Sequence, residues 1–486
     1  LQINELIALI NPLDVTNQKL KVELTGIHQD SRQVTPGSVF IAIRGTEVDG
    51  HIFLEDAIAR GANVLICEES FYTEAPDVSV IEVEDTRTIL GTVAQAFADN
   101  PARNLRIVGI TGTNGKTTVA TLAYQVLCKT GRKSSLLGTV SKRILLDELD
   151  SSLTTSDPIE LANDMRAMVD AGSEFLIMEV SSHALSQERV NGFDFEVAAF
   201  TNLSHDHLDY HNTVDDYAAS KKLLFDHLPP TSTAIINIDD VRGHFMASDT
   251  MASVNEFSFK TDHNHILQNT AEGLSLLVDG VNIQSPLVGD FNAYNVAQAF
   301  LICKALGIPA LEAAKALQSC SGASGRMETV VADGDNLPIV IVDYAHTPDA
   351  LLNILATLND LRFEDSQLVC VFGAGGDRDP TKRPEMAKAA AKYSDRIVVT
   401  SDNPRFENPD LIIEDILKGF DDKKKVTVEP DRQKAIQAAI KSANAKDLVL
   451  IAGKGHEDYQ DIRGTKHPFN DYEIAEAALQ QKKEVH

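Results

Sequence analysis

Gly109-Ile-Thr-Gly-Thr-Asn-Gly-Lys-Thr-Thr118 is the stretch on which the reading of this chain turns. The apolar run ahead of it, Leu105-Arg-Ile-Val-Gly-Ile110, reads as a buried strand. The segment after it, Thr117 to Cys128, carries Ala, Leu and Val and reads as a helix. A glycine-rich turn between strand and helix aims backbone N–H groups and the positive helix end at a phosphate chain. In that setting Lys116 is expected to reach the β- and γ-phosphates and the Thr117 hydroxyl to sit on Mg²⁺. The general loop pattern asks for glycine five residues before Gly115; this chain has Ile110 there, with glycines at 109 and 112. The variant Thr-Gly-Thr-Asn-Gly-Lys-Thr-Thr is narrower than the general motif and points to a subfamily of ATP-binding proteins. A tight turn without a ligand is the plain alternative.

Length and composition set the frame around this loop. At 486 residues the chain suggests about three domains. The net charge of −27 argues against nucleic acid or an anionic membrane as partner. It also requires local cations, Mg²⁺ and placed Lys or Arg, to reverse the field around ATP. The five cysteines (67, 128, 303, 320 and 370) are scattered, and several lie in apolar runs, which reads as reduced core thiols. No apolar run approaches bilayer length and no secretory signal opens the chain, so a cytoplasmic protein is expected, free of membrane and acting as a monomer.

The pattern along the chain predicts an α/β protein of three domains. Residues 1–87 read as a small N-terminal α/β unit, with strands at Ser38–Ile43 and Asn63–Cys67. Residues 88–325 alternate strands (Ile107–Thr111, Phe175–Val180, Val197–Leu203, Thr233–Ile238) with helices, which argues for a mostly parallel sheet. A polar, β-prone insertion is expected over roughly 252–290, ahead of a helix at Ala293–Leu306. Residues 326–486 repeat the alternation in a Rossmann-like unit. Four of its strands run straight into polar loops: Asp343-Tyr-Ala-His-Thr-Pro348, Gly373-Ala-Gly-Gly-Asp-Arg-Asp379, Ser401-Asp-Asn-Pro-Arg405 and Ala452-Gly-Lys-Gly-His-Glu-Asp458. Ligands bind beyond the carboxyl ends of strands in open α/β sheets, so the four loops predict one site.

Six motifs occur in an order that resembles the Mur ligases. They are Thr111–Thr118, Glu179-Val-Ser-Ser-His-Ala-Leu185, Asn202-Leu-Ser-His-Asp-His-Leu-Asp209, Phe291-Asn-Ala-Tyr-Asn295, Gly325-Arg-Met-Glu328 and Asp343-Tyr-Ala-His346. Asp30-Ser-Arg32, Gly45 and Asp49-Gly-His51 resemble the uridine-binding domain of the family members that add the third residue of the peptidoglycan peptide. Asp402-Asn-Pro-Arg405 and Gly453-Lys-Gly-His-Glu457 resemble the form that uses meso-diaminopimelate. The resemblance implies an ATP-dependent amide ligase. Its substrates would be UDP-N-acetylmuramoyl-L-alanyl-D-glutamate and meso-diaminopimelate, with the carboxylate activated as an acyl phosphate. Folylpolyglutamate synthases share the ATP core, and the two terminal motifs speak against them. Use of L-lysine instead, an ATPase switch and a non-catalytic scaffold are the other readings.

The resemblance also implies roles for single residues. Lys116 would hold the phosphates, with Gly112, Thr113, Asn114, Gly115, Thr117 and Thr118 forming the loop. Thr117, Glu179 and His207 would ligate Mg²⁺, and Lys221 would carry a CO₂-derived carbamate holding a second ion. That modification needs a neutral amine; the residues alone leave open a solvated Lys221–Lys222 pair. His207 also reads as a hydrogen-bonded loop residue, since Mg²⁺ prefers oxygen. Asn292, Asn295, Arg326, Asp343 and His346 would complete the ATP site. Ser31 and Thr46 would hold the uridine end of the sugar nucleotide, and Thr154, Thr155, Ser181, Gln187 and Arg189 its muramoyl-dipeptide. For diaminopimelate the set is Arg378, Asp402, Asn403, Pro404, Arg405, Gly453 and Glu457. Arg405 would take the far carboxylate bidentately and Glu457 the neighbouring ammonium. A surface salt bridge is the plain reading of Arg405.

Overall fold

The computed structural model describes residues 1–17, 23–45, 48–149, 153–204, 210–211, 213–261, 263–270, 272–330 and 337–485. They form two compact units, residues 1–258 with 301–308, and residues 259–300 with 309–486. The expected positions Thr46 and His207 lie outside the described residues, as do His205 and Asp206.

The first unit holds two sheets. The smaller runs Asp14–Thr16, Ser79–Glu82, Val64–Cys67, Val39–Ile41, Ile27–His28, parallel except for its first strand. Val39–Ile41 and Val64–Cys67 are buried at every residue, as strands covered on both faces must be. The helix Ile3–Ile10 presses Ile3, Leu6 and Ile10 onto this sheet's core.

The larger sheet has eight strands. Its order is Ser253–Phe257, Thr233–Asn237, Val197–Phe200, Arg106–Thr111, Phe175–Glu179, Ser134–Leu137, Lys142–Ile144, Asp147–Leu149. The first six are parallel, and the last two add an antiparallel hairpin. From Arg106–Thr111 the chain crosses to Ser134–Leu137 on one side, then later to Val197–Phe200 on the other. The carboxyl end of Arg106–Thr111 is therefore the sheet's switch point, the place where open α/β sheets bind ligands. Ser253–Phe257 corrects the sequence expectation of an insertion starting near 252. It is an edge strand of this sheet, and its mostly exposed side chains gave it a polar look.

In the second unit a six-stranded sheet runs Glu328–Thr329, Ile339–Asp343, Leu448–Ala452, Leu368–Phe372, Arg396–Val399, Val426–Val428. Only its first pair is antiparallel. The four strands that end in polar loops are thus neighbours pointing the same way. Helices cover both faces: Leu351, Leu355 and Leu358 of Pro348–Leu361 and Met386 of Lys382–Tyr393 on one, Ile436 and Ile440 of Arg432–Ser442 on the other. A three-stranded meander (His265–Thr270, Gly273–Val278, Val281–Ser285) and a hairpin (Tyr459–Ile462 with Thr465–Pro468) complete the strands. Arg432 and Asp471 form a fully buried ion pair at 2.6 Å, with Arg432 also donating to the Ala452 carbonyl.

Candidate active site

The phosphate loop has the shape its glycines predict. Strand Arg106–Thr111 ends, the chain turns, and helix Lys116–Lys129 starts from Gly115 at φ +88°. Gly112 sits at φ +147°, where a Cβ would collide with Thr201 Oγ1, so only glycine lets the loop lie against the neighbouring strand end. Asn202 Oδ1 accepts the Asn114 N–H at 3.0 Å, tying the loop to the carboxyl end of Val197–Phe200. Lys116 folds back over the loop, its Nζ 2.9 Å from the carbonyls of Gly112 and Thr113.

Glu179, 1% exposed, ends the strand beside the loop. Its Oε2 accepts from Thr117 Oγ1 at 2.9 Å and Oε1 from the Thr139 N–H at 2.8 Å. Thr139 in turn touches Thr154, Oγ1 to Oγ1 at 2.9 Å, and Thr155 Oγ1 donates to the Glu179 carbonyl. Arg189 donates to the Thr155 carbonyl and to Gln187 Oε1, and the Ser181 N–H donates to Thr155 Oγ1. The structure therefore brings Thr117, Glu179, Thr154, Thr155, Ser181, Gln187 and Arg189 into one hydrogen-bonded cluster beside the loop. Ser31 belongs to the other sheet of this unit, in the turn Ser31–Gln33, where Asp56 accepts a hydrogen bond from its side chain.

Lys221 is 1% exposed and donates to the Gly112 carbonyl at 2.8 Å, with its Nζ 4.4 Å from the Tyr217 ring centroid. The solvated Lys221–Lys222 pair is excluded. Lys222 is buried as well and pairs with Asp226 and Asp249 at 2.5 and 2.6 Å. Among the described residues no group of three or more His, Cys, Asp or Glu side chains is placed to hold a metal. This unit also contains a cavity of about 710 Å³ at the amino-terminal edge of the larger sheet, lined by Leu105, Phe195 and Ser232 among others. It lies away from the loop chemistry.

In the second unit Asn292 and Asn295 are buried on helix Asp290–Ala305. Asn295 donates to Asn292 Oδ1, and Asn292 to the Val288 carbonyl. Val288 packs in the same core as Met327 and Ala345, whose N–H groups both donate to Asp343. Burial raises the Asp343 pKa, opposed by those N–H groups and by Arg326. Arg326 lies 4.9 Å over the Tyr344 ring, and its buried Nε has no acceptor among the described residues. His346 and His456 flank the same ring, and burial lowers the His456 pKa.

The four strand-end loops of this unit enclose a pocket of about 350 Å³. Six of the seven residues expected for the amino acid line it: Arg378, Asp402, Asn403, Arg405, Gly453 and Glu457. Pro404 joins two of them without lining it. Arg405 holds a left-handed backbone, φ +49°, fixed by its N–H to the Asp461 carbonyl and by the Arg463 N–H to its own carbonyl. Its Nη1 donates to the Gly376 carbonyl at 2.6 Å.

Sequence reasoning missed Thr139, Tyr344, Lys382 and Arg383. Thr139 follows strand Ser134–Leu137 almost directly, a strand-end position comparable to that of Glu179. Lys382 and Arg383 open a helix, and nothing in the sequence separates them from surface cations. Arg383 is in fact buried against Glu407 and Asp415.

Three consecutive stretches of the chain match family models: Mur ligase family, catalytic domain (23–98); Mur ligase middle domain (110–303); and Mur ligase, glutamate ligase domain (325–455). The chain belongs to the Mur ligase family, with its three-domain α/β architecture. Two relatives are named UDP-N-acetylmuramoyl-L-alanyl-D-glutamate–2,6-diaminopimelate ligase. That of Cytophaga hutchinsonii is 43% identical across 99% of each chain, and that of Aquifex aeolicus 43% identical across 93% of each. A solved structure of a ligase of the same name superposes with a TM-score of 0.76 at 32% identity, covering 100% of this chain and 99% of its own. A folylpolyglutamate synthase from Mycobacterium tuberculosis, 19% identical with a TM-score of 0.57, shares the fold.

Proposed function

We propose that this chain is an ATP-dependent ligase that joins meso-diaminopimelate to the D-glutamyl carboxylate of UDP-N-acetylmuramoyl-L-alanyl-D-glutamate. The observation that carries the reading is the pocket of the second unit. There the Arg405 fork, Arg378 and the Glu457 carboxylate stand together, a charge pattern suited to an amino acid ending in one carboxylate and one ammonium. The relatives' names agree with it. L-Lysine lacks the far carboxylate and would leave Arg405 unpaired beside a second cation.

In this reading the phosphate loop holds ATP and Lys116 unfolds from its own carbonyls onto the phosphates. A D-glutamyl carboxylate oxygen attacks the γ-phosphorus, and the bond to the ADP oxygen breaks. The amine nitrogen of diaminopimelate then attacks the acyl carbon, the bond to phosphate breaks, and the amine proton leaves to solvent. The first step brings two anions together, so positioning and fixed cations do most of the work there. Thr154, Thr155, Ser181, Gln187 and Arg189 hold the muramoyl-dipeptide, and Ser31 and Thr46 the uridine. Asn292, Asn295, Arg326, Asp343 and His346 serve the nucleoside and phosphates.

Mg²⁺ fits the first unit, because Thr117 Oγ1 and the Glu179 carboxylate are adjacent oxygen donors at the loop, the donor type this ion prefers. Thr117, Glu179 and His207 would hold it, and when bound it neutralises phosphate charge. Lys221 would carry the carbamate, which turns a cation into an anion there; its burial against the loop supports the assignment. The division at residues 87 and 325, action as a monomer and a cytoplasmic location complete the proposal. Among the described residues no helix is long and apolar enough to cross a membrane. ADP release measured with each substrate omitted in turn tests the reaction class. Dependence on the UDP-sugar dipeptide is expected, and release indifferent to it would favour an ATPase switch.

A further inference from the structure

The pocket of the second unit rests on a lysine that does not line it. Lys454 follows Gly453 in the loop after strand Leu448–Ala452, and its side chain is 0% exposed. Its Nζ donates to Asn403 Oδ1 and to Glu457 Oε2, both at 3.0 Å. Asn403 Nδ2 donates to the same Glu457 oxygen at 2.8 Å, and Asn403 Oδ1 also accepts the Asp461 N–H at 2.9 Å. Of these four bonds, three fix which way the Asn403 amide faces. They also load every protein donor on Glu457 Oε2, so that Oε1 takes none among the described residues. Glu457 and Asn403 line the pocket; Lys454 lies behind them.

An ammonium removed from water is costly unless it is paired and hydrogen-bonded. A methionine or leucine would fill the same space at less cost, so the charge at this position points to a task beyond packing. We propose that Lys454 is a positioning residue for amino-acid selection, holding the Glu457 carboxylate and the Asn403 amide so that Glu457 Oε1 receives the substrate's far ammonium. The inference rests on the reading of this pocket as the diaminopimelate site. Lys454 itself touches no substrate atom.

Steady-state ligation kinetics of Lys454→Met with two amino acids test it. The first is meso-diaminopimelate; the second is 2-aminopimelate, which keeps the far carboxylate and lacks the far ammonium. Their kcat/KM ratio is independent of the folded fraction, so a general folding defect cancels. The expected result is a ratio lowered by about tenfold or more, the scale of losing one charged hydrogen bond, through KM for diaminopimelate, with KM for ATP unchanged. In a Glu457→Gln background the same substitution should change the ratio by less than about twofold, since the two residues act as a unit. An unchanged ratio in Lys454→Met, or independent penalties in the double variant, overturns the inference. If Lys454→Met is insoluble, Lys454→Gln, which keeps a donor for Asn403, carries the same measurement. Arg405→Ala separates the two claims. If it leaves diaminopimelate KM unchanged, the pocket reading itself fails; if it raises KM while Lys454→Met leaves the ratio unchanged, only the role of Lys454 fails.

Discussion

Replacing Arg405 with alanine should remove selection for diaminopimelate while sparing the nucleotide. The guanidinium spends one N–H on the Gly376 carbonyl and presents the rest of its fork to the pocket. Two charge-assisted hydrogen bonds to the far carboxylate are lost, each contributing about 1.5–3 kcal/mol. Water entering the partly open pocket returns some of that, leaving about 2.5–5 kcal/mol. At 1.36 kcal/mol per factor of ten, kcat/KM for diaminopimelate falls roughly 10²- to 10⁴-fold. Alanine has the same Cβ as arginine, so the left-handed backbone at φ +49° is no harder to hold than before and the fold should persist. Coupled ADP-release kinetics with varied diaminopimelate, L-lysine and ATP read all three effects. KM for ATP should stay within about twofold, and L-lysine, which has no far carboxylate for the fork, should still give no product. Equal turnover of diaminopimelate by both proteins would refute the reasoning, as would a parallel loss of ATP affinity.

Other predictions concern the loop, the thiols and pH. Gly112→Ala places a Cβ against Thr201 Oγ1 at φ +147°; the loop must shift, and turnover should drop by about 10²-fold or more with weakened ATP binding in calorimetry. Unchanged ATP binding would count against the loop assignment. Burial pushes the Cys67 thiol up to about 11 and Cys370 up to about 12, so neither should react with Ellman's reagent at about pH 8 until the protein is unfolded. Labelling of either in the native state would contradict that burial. Burial holds His456 and His28 below their usual 6.5. Below pH 6.5 the unfolded chain binds protons that the folded chain refuses, so their contribution is full above 6.5 and is lost as pH falls toward the depressed values. Denaturation midpoints across that window should fall with pH, and less steeply in His456→Gln; identical slopes would remove His456 from the account.

The phosphate loop and the four strand-end loops were legible because each depends on local signals. An apolar run stops, glycine or proline turns the chain, and polar residues follow. The shared edge followed once Ile339–Asp343, Leu448–Ala452, Leu368–Phe372 and Arg396–Val399 paired in parallel. What stayed hidden is tertiary. Lys454 and Arg383 carry charges that read as surface residues, yet both are buried, because partners 3 to 51 residues away in sequence neutralise or hydrogen-bond them. The hairpin strands Lys142–Ile144 and Asp147–Leu149 bury no residue fully and the edge strand Ser253–Phe257 exposes most of its side chains, so both lack the apolar pattern by which strands are recognised. The residues proposed to hold the muramoyl-dipeptide illustrate the middle case. Their hydroxyls are indistinguishable from turn residues one by one, and only the chain from Thr139 through Thr154 and Thr155 to Arg189 shows them as a group.

Mass spectrometry of the product tests the central claim most directly. The protein is mixed with ATP, Mg²⁺ and UDP-N-acetylmuramoyl-L-alanyl-D-glutamate, and with either meso-diaminopimelate or L-lysine. The account predicts the UDP-linked tripeptide with diaminopimelate and none with lysine. Product with lysine at a comparable rate would contradict the role given to Arg405, and steady ADP release without either product would contradict the ligase.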